Sequence, residues 1–436
     1  MLTGRCLGES EYGSRRGWNA FVRTISIIWI LAKCFIVCTT IRLCFLLLPR
    51  NRDPLAAIGK EIVTAALRLG PVGIKISQLA SARGDILPRQ IADELSILRE
   101  KVPSPTLSEV RQHFRELFPN EPGIYLTSVD WESFASGSIA YVLRATLRSG
   151  APVAIKIVRP GVRDAVLLDV QVMSALLRPI TAISKDLKLV FDALFGNLSL
   201  SLLDQCDMSV DANNLKTFTV HCSPFIRLPR VITTLSNKSA LTMEFVEGKS
   251  ITDCEDDQVY KELVVSLLKE VFRMVFVHGI MHTDLHPGNV RMTPDGQLAL
   301  LDFGLLGTLS LQGRKRFRKF FFGLVTADSA LVAKVLIDTA GKHFADEDVR
   351  AFELEIDNLL VSFSFRVAGE FMVAGLIRKL VELQRKWKLV ADPGFSNAAW
   401  VLTVLEGLIR GRIPTLKFQT IAIEYLMMPY ENIHAA

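Results

Sequence analysis

The sequence predicts an α+β protein of two lobes, a small β-rich lobe followed by a large helical one, with a helical extension in front. Three observations carry that expectation. Over residues 126–158, apolar and β-branched residues come in short alternating runs joined by the turn-rich SFASGSIAYV. From residue 261 onward long segments keep an apolar helical period, interrupted by HTDLHPGNV and LALLDFG. Residues 55–118 read as helices broken at Gly70-Pro71, Pro88 and Pro103/Pro105. A further strand pair is expected at 228–232 and 240–246.

Composition permits this layout and excludes others. The chain has 436 residues, enough for two cores, and is 50% hydrophobic and 22% charged, which excludes a disordered chain. With 27 Gly and 18 Pro it is neither collagen-like nor low-complexity. The net charge of +6 resides wholly in residues 1–60, where nine Lys/Arg face three acids. The remainder is balanced, so no partner role for nucleic acid is expected. Seven Cys without CxxC spacing form neither a zinc motif nor a disulfide framework. The organisation expected is a basic segment 1–24 with a targeting character, an apolar helix 25–48, a helical extension 55–123, a β-rich lobe 124–250 with a helical insertion, and a helical lobe 251–436.

Residues 25–48, ISIIWILAKCFIVCTTIRLCFLLL, form 24 residues long enough to cross a bilayer. Lys33 and Arg42, nine positions apart, fall on opposite helix faces, so no single polar stripe marks a surface-lying helix. A membrane-buried helix and a helix packed on a partner both remain open. Upstream, Arg5, Arg15, Arg16 and Arg23 have the basic character of an organellar, mitochondrial leader, against which Glu9 and Glu11 count.

Four segments carry chemistry, in an order a nucleotide site uses. Ala135, Ser136, Gly137, Ser138, Ala140 and Val142 form a small-residue loop that lets backbone approach phosphates, or else an ordinary turn. Val153-Ala154-Ile155-Lys156 sets one cation on an otherwise apolar strand, where it calls for an anion. In His282-Thr283-Asp284-Leu285-His286-Pro287-Gly288-Asn289, Asp284 offers a catalytic carboxylate and Asn289 a metal-ligand oxygen. Asp302-Phe303-Gly304, 18 residues beyond Asp284, brings a hard carboxylate for Mg²⁺. Upstream, LTMEFVEG leads into the connection between lobes, where the Glu244 and Val246 backbone can pair with an adenine edge. Histidines 278, 282 and 286 share a helical spacing that invites a metal site, but Gly279 and Pro287 break the helix. Bracing of the catalytic loop is the role expected of His282 or His286.

At these residues the chain resembles the UbiB/ADCK (aarF-type) atypical kinases associated with ubiquinone (coenzyme Q) biosynthesis. GPVGIKISQLASARGDILP resembles that family's KxGQ helix, LREKVPSP and VAIKIVRPGV continue the likeness, and SNAAWVLTVLEGLIRG resembles its C-terminal helix. The resemblance implies an atypical protein-kinase-like two-lobed fold with a KxGQ-type N-terminal extension. It implies Mg²⁺ and ATP as cofactors, and an ATPase or small-molecule kinase rather than an ordinary protein kinase. Lys156 would meet the α/β-phosphates, Asp211 would be its αC-type acid, Asp284 the catalytic aspartate, and Asn289 and Asp302 the metal ligands. Lys75 and Gln78 would lie on the helix that obstructs protein substrates. Implied partners are the nucleotide, a membrane lipid or quinone precursor, and a lipid-biosynthesis protein complex, at a mitochondrial membrane. Departures from the family pattern are Ser77 for Gly in KxGQ, Asp211 for Glu, Gln205 for the first acid of ExD with Asp207 its last, and Tyr141 and Leu143 after the loop. They leave open a catalytically weak, nucleotide-sensing scaffold. Because HTDLHPGN also resembles the loop of aminoglycoside and choline kinases, a small-molecule phosphotransferase is the other alternative.

GRKRFRKFFFGLV gathers Phe317, Phe320, Phe321 and Leu324 on one helical face with Arg314, Lys315, Arg318 and Lys319 towards its rim. The segment reads either as a contact for anionic lipid or as a core helix with solvated cations.

Overall fold

A computed structural model describes residues 8–47, 54–82, 88–99, 105–119, 122–181, 199–341, 344–364, 373–389, 393–410, 412–413, 416 and 418–428. The chain forms two compact units, Met1–Ser209 with Ile232–Met243, and Val210–Val231 with Glu244–Ala436.

The first unit opens with five helices: α1 (Gly8–Leu47), α2 (Pro54–Leu69), α3 (Pro71–Ala82), α4 (Arg89–Ser96) and α5 (Leu107–Leu117). Their ends lie where local chemistry puts them. Gly70 closes α2 at φ +77°, a conformation glycine adopts without a Cβ penalty, and Pro71 starts α3, where a missing N–H costs nothing. Thr106 accepts from the Glu109 N–H while the Glu109 carboxylate accepts from the Thr106 N–H, a reciprocal cap on α5. Ala66, Ile74, Ile91, Leu95 and Leu98 bury one helical core.

The sheet of this unit runs β1 (Leu126–Val129), β3 (Ala140–Leu147), β4 (Pro152–Val158), β6 (Ala240–Glu244), with β2 (Ala135–Ser136) paired to β3. Alternation sends Val153, Ile155 and Ile157 of β4 inward with Leu143 and Ala145 of β3, against Val110 and Phe114 of α5. α6 (Val162–Thr181) follows β4.

The second unit holds most of α7 (Met208–His221), then β5 (Ile226–Arg227), β7 (Lys249–Ser250) and α8 (Asp257–Phe272). A π-helical turn, Arg273–His278, extends α8. β8 (Ile280–His282), β9 (Val290–Met292), β10 (Leu298–Leu300) and β11 (Leu306–Thr308) come next. α9 (Leu311–Thr326), α10 (Ser329–Ala340), α11 (Asp346–Ser364), α12 (Val373–Lys386), α13 (Pro393–Arg410) and α14 (Phe418–Leu426) complete it. β5, β10, β9 and β7 form one small sheet, and β8 pairs with β11. Residues 210–231, placed in the β-rich lobe by sequence, cluster with this unit because Phe218 packs on Phe303 and His282.

Two expectations are corrected. The strand pair at 228–232 and 240–246 is reduced to isolated bonds, Ile232 N–H to Thr242 C=O and Glu244 N–H to Arg230 C=O, both 2.8 Å. Pro229 withholds a ladder donor there, and the regular strand shifts to Ile226–Arg227, parallel to β10. In α9 the whole aromatic face is core, and two of its four rim cations are buried too: Arg314 and Arg318 are 2% and 6% exposed. Arg314 donates to the Val277 carbonyl, and Arg318 to those of Leu426 and Met428. These carbonyls lie at helix ends, where intrahelical donors run out. The lipid-contact reading of this helix loses its aromatic face and two of its four cations to the interior, while Lys315 and Lys319 stay exposed.

Candidate functional site

The candidate residues fall on both units, and each group is built within its own. In the first unit, β2 and β3 make a hairpin with Ala135 opposite Val142 and Ser136 opposite Tyr141. A 2.8 Å bond from the Gly137 N–H to the Ala140 carbonyl closes it, leaving Ser138 and Ile139 at the tip. The expected loop residues are therefore one tight hairpin. Lys156, half-buried on β4, stands directly across from Val142 in the ladder, so the two side chains share a sheet face.

Beneath the hairpin lies a residue to which sequence reasoning gave no role. The Arg159 guanidinium donates from Nε to the Gly137 carbonyl at 2.9 Å and from NH2 to Ser136 Oγ at 2.7 Å, and its N–H donates to the Ile139 carbonyl at 2.8 Å. Arg159 thus grips the hairpin at three points. The signal for it was its place three residues after Lys156 in VAIKIVRPGV.

In the second unit, His282 ends β8, and its Nδ1 accepts the Asp284 N–H at 3.2 Å. Its Nε2 then carries the proton and donates to the Leu301 carbonyl at 3.1 Å. Burial holds this imidazole below the usual histidine value, so it braces the loop as a neutral ring. His286 accepts the Gly288 N–H at 3.1 Å, and Asn289 Nδ2 donates to the Asp284 carbonyl at 2.9 Å. Asp284 and Asn289 are thereby held on one turn. His278, His282 and His286 fall on a π turn, a strand and the cap of a 3₁₀ turn, not on one helix face.

Asp302 adopts φ +56°, uncommon for a residue with a Cβ, and its Oδ1 accepts the Gly304 N–H at 3.2 Å. A Cβ on Gly304 would stand 3.2 Å from Asp211 Oδ1 and 3.3 Å from Asp302 Oδ1. Two carboxylates therefore converge on a space that only glycine leaves open. α7 fixes this arrangement: Asp211 is 1% exposed, Asn214 Nδ2 donates to the Phe303 carbonyl at 2.8 Å, and Phe218 lies 5.0 Å from the Phe303 ring. Asn214 and Phe218, at i+3 and i+7 from Asp211, were also missed by sequence reasoning.

The donor set suits Mg²⁺. Asn289 spends its amide N–H on Asp284, which makes Oδ1 its remaining acceptor, and Asp302 adds carboxylate oxygen. Mg²⁺ binds through one or two carboxylates with phosphate and water completing its octahedron. Among the described residues no cluster of three or more His, Cys, Asp or Glu could enclose a metal. The residues present fit an ion that arrives with phosphates.

The other expected positions are plainer. The Glu244 N–H is taken by Arg230, so only its carbonyl remains for an adenine edge. Burial would raise the Glu244 carboxyl, but Arg227 and Arg230 pull it below the usual carboxylate range. Val246 is half-buried beyond β6. Asp207 accepts the N–H and hydroxyl of Ser209 and so caps α7. Lys75 is half-buried on α3, and the Gln78 side chain, like residues 83–87 of the same motif, lies outside the described residues.

The ABC1 atypical kinase-like domain matches residues 97–336, a stretch that takes in the hairpin, Lys156, Asp211, Asp284, Asn289 and Asp302. A protein of Aliivibrio fischeri named "Probable protein kinase UbiB" is 27% identical over 390 residues, covering 86% of this chain and 71% of its own. A chloroplastic aarF domain-containing protein kinase of Arabidopsis thaliana is 29% identical over 367 residues, covering 82% of this chain and 51% of its own. Among solved structures, a Mycobacterium tuberculosis protein in complex with erythromycin aligns at 18% identity and a TM-score of 0.48, over 72% of this chain and 85% of its own. With the domain matched over more than half its length, the chain belongs to the ABC1 atypical kinase-like family.

Proposed function

We propose that the protein binds Mg²⁺-ATP and hydrolyses it or transfers its terminal phosphoryl group, in support of ubiquinone biosynthesis or membrane lipid handling. The observation that carries this reading is the turn on which Asn289 fixes the Asp284 carbonyl, with Asp302 beside Asp211 at a glycine. Asp284 orients the attacking oxygen and accepts its proton. The Ala135–Ala140 hairpin lays backbone against the phosphates, and Lys156 meets their α/β oxygens. The carbonyl of Glu244 and the backbone of Val246 face the adenine edge. Asn289 and Asp302 would hold Mg²⁺, whose charge would offset that of the phosphates. Lys75 and Gln78 belong to the helix that keeps large substrates away. UbiB names among the relatives support the quinone connection, α1 supports a membrane setting, and a chloroplastic relative supports an organelle, for which a mitochondrion is our reading.

The test is ATP hydrolysis by the full chain with and without Mg²⁺, beside Asp302→Asn. Magnesium-dependent turnover that falls at least a hundredfold in the variant supports an enzyme. A second reading, a nucleotide-switched scaffold, draws on Gln205 and Asp211, which stand where the family pattern has glutamates. Mg²⁺-ATP-dependent thermal stabilisation without turnover selects it. Neither signal in folded protein overturns both.

A further inference from the structure

α1 is longer than a bilayer requires and is fastened along one side. A span takes about 20 apolar residues, whereas α1 runs for 40, with Phe21–Phe45 apolar enough to cross. Within the first unit, Ile27 and Ile30 are 0% and 6% exposed and pack with Ala65 and Leu69 of α2 and Val172 of α6. Arg23 heads this stripe. Its Nε and NH2 donate to the two carboxylate oxygens of Asp169 at 2.6 and 2.7 Å, and NH2 also donates to the Leu69 carbonyl at 2.7 Å. Asp169 is 1% exposed, so the fork neutralises a charge that would be buried alone. Positions 23, 27, 30 and 34 fall on one helix face.

The opposite face is exposed and uncharged over Ile25, Ile28, Trp29, Ile36 and Leu43. Lys33 and Arg42, about 180° apart at 3.6 residues per turn, fall on the two borders between docked and bare faces. Lys33 sits 5.5 Å from the Trp29 ring. The sequence offered no polar stripe for a surface-lying helix because the protein itself covers that side. A spanning helix would turn its docked face into hydrocarbon together with α2, which carries Lys60 and Arg68. A cation on each edge of an apolar face is the arrangement of a helix lying flat under anionic headgroups. The same cations, with nine Lys/Arg against three acids in residues 1–60, oppose a second copy of the chain on this face.

We infer that α1 is an in-plane anchor: it lies along an anionic bilayer with its bare face down, Lys33 and Arg42 at headgroup level on either edge, and both ends on one side. This deepens the membrane part of the proposed function and is independent of the nucleotide part. The test places an environment-sensitive fluorescent amino acid at Ile25, Ile36 or Leu43 of the full chain. Quenching is read with shallow and deep brominated lipids, in phosphatidylcholine vesicles with and without phosphatidylglycerol. The expected result is one common depth for all three positions, about 5–10 Å into the acyl boundary. Lys33→Gln with Arg42→Gln should lower partition into anionic vesicles about tenfold or more at low salt and leave neutral vesicles little changed. A profile deepest at Ile36 and shallow at Ile25 and Leu43 means a spanning helix; it overturns the in-plane arrangement while keeping a membrane role. Absence of quenching in both vesicle types overturns the membrane role as well. A doubled mass in sedimentation, with the labels shielded from lipid, assigns the face to a second copy and overturns the proposal.

Discussion

Arg159 sets the shape of the hairpin through three bonds to a stretch of four residues, two of them from a forked cation. Both acceptors sit on a largely exposed hairpin where water can replace a lost donor, so these bonds shape backbone that is proposed to meet phosphate more than they add stability. Arg159→Met should raise the nucleotide concentration needed for half-maximal thermal stabilisation about tenfold, while the melting temperature without nucleotide moves little. Arg159→Lys should recover little, since a point ammonium cannot span Gly137 O and Ser136 Oγ together. His113 supplies a second test. Its Nδ1 lies 3.1 Å from the Tyr141 hydroxyl, and burial lowers its pKa from the usual histidine value. The unfolded chain therefore takes up a proton before the folded one as pH falls below about 6.5, so stability is lost from there downward and complete above it. Urea midpoints at about pH 7 and pH 5.5 should differ less in His113→Gln than in the parent. Asp284, Asn289, Asp302 and Lys156 could be named as candidates from the sequence because the proposed chemistry calls for particular residue types at fixed spacing. Arg159 and Asn214 could not: what each binds is set by the path of the chain through space.

At the scale of an element, α9 shows how a correct period can carry a wrong polarity. Arg314, Phe317, Arg318 and Phe321 follow the i, i+3, i+4, i+7 rhythm of a buried stripe. A helical wheel alone places both arginines inside, and only the general exposure of cations argues otherwise. What the wheel lacks is the acceptor. Arg314 reaches the end of the π turn at Val277, and Arg318 reaches the end of α14, two sets of helix-end carbonyls far apart in sequence. Arg314→Met should cost about 2–3 kcal/mol in chemical denaturation, because a buried carbonyl loses its donor. Lys315→Met, on the exposed side, should stay within about 0.5 kcal/mol. Equal effects from the two would return Arg314 to the surface. The helix breaks at Gly70-Pro71 and Pro88 needed no such partner, since φ and the missing N–H act locally, and they appear where expected.

For the whole molecule, the head reads from sequence as a basic segment 1–24 of targeting character and an apolar helix 25–48, distinct in charge and hydropathy from a neutral body. The structure gives it a load to carry. Without α1, the face of α2 and α6 that holds Ala65, Leu69, Leu168, Val172 and Leu176 faces water, and Asp169 loses its arginine fork. Burying Ile27 and Ile30 contributes about 1.5–3 kcal/mol each, and the charge-assisted bonds from Arg23 to Asp169 add about 1.5–3 kcal/mol. Together these are comparable to the stability margin of an ordinary domain, about 5–15 kcal/mol. A chain beginning after residue 47 should therefore melt earlier than the full chain or aggregate, and Asp169→Asn should leave its stability little changed, since α1 no longer covers or pairs the carboxylate. In the full chain the same Asp169→Asn substitution should destabilise, because there it breaks a made pair. That contrast separates a specific clasp from a general need for apolar cover. Should the truncated chain melt like the parent, α1 would be an appendage after all, and a turnover assay on it would be as informative as one on the complete protein. If the contrast is seen, α2, α6 and α1 form one folding element, and activity has to be measured with the head in place.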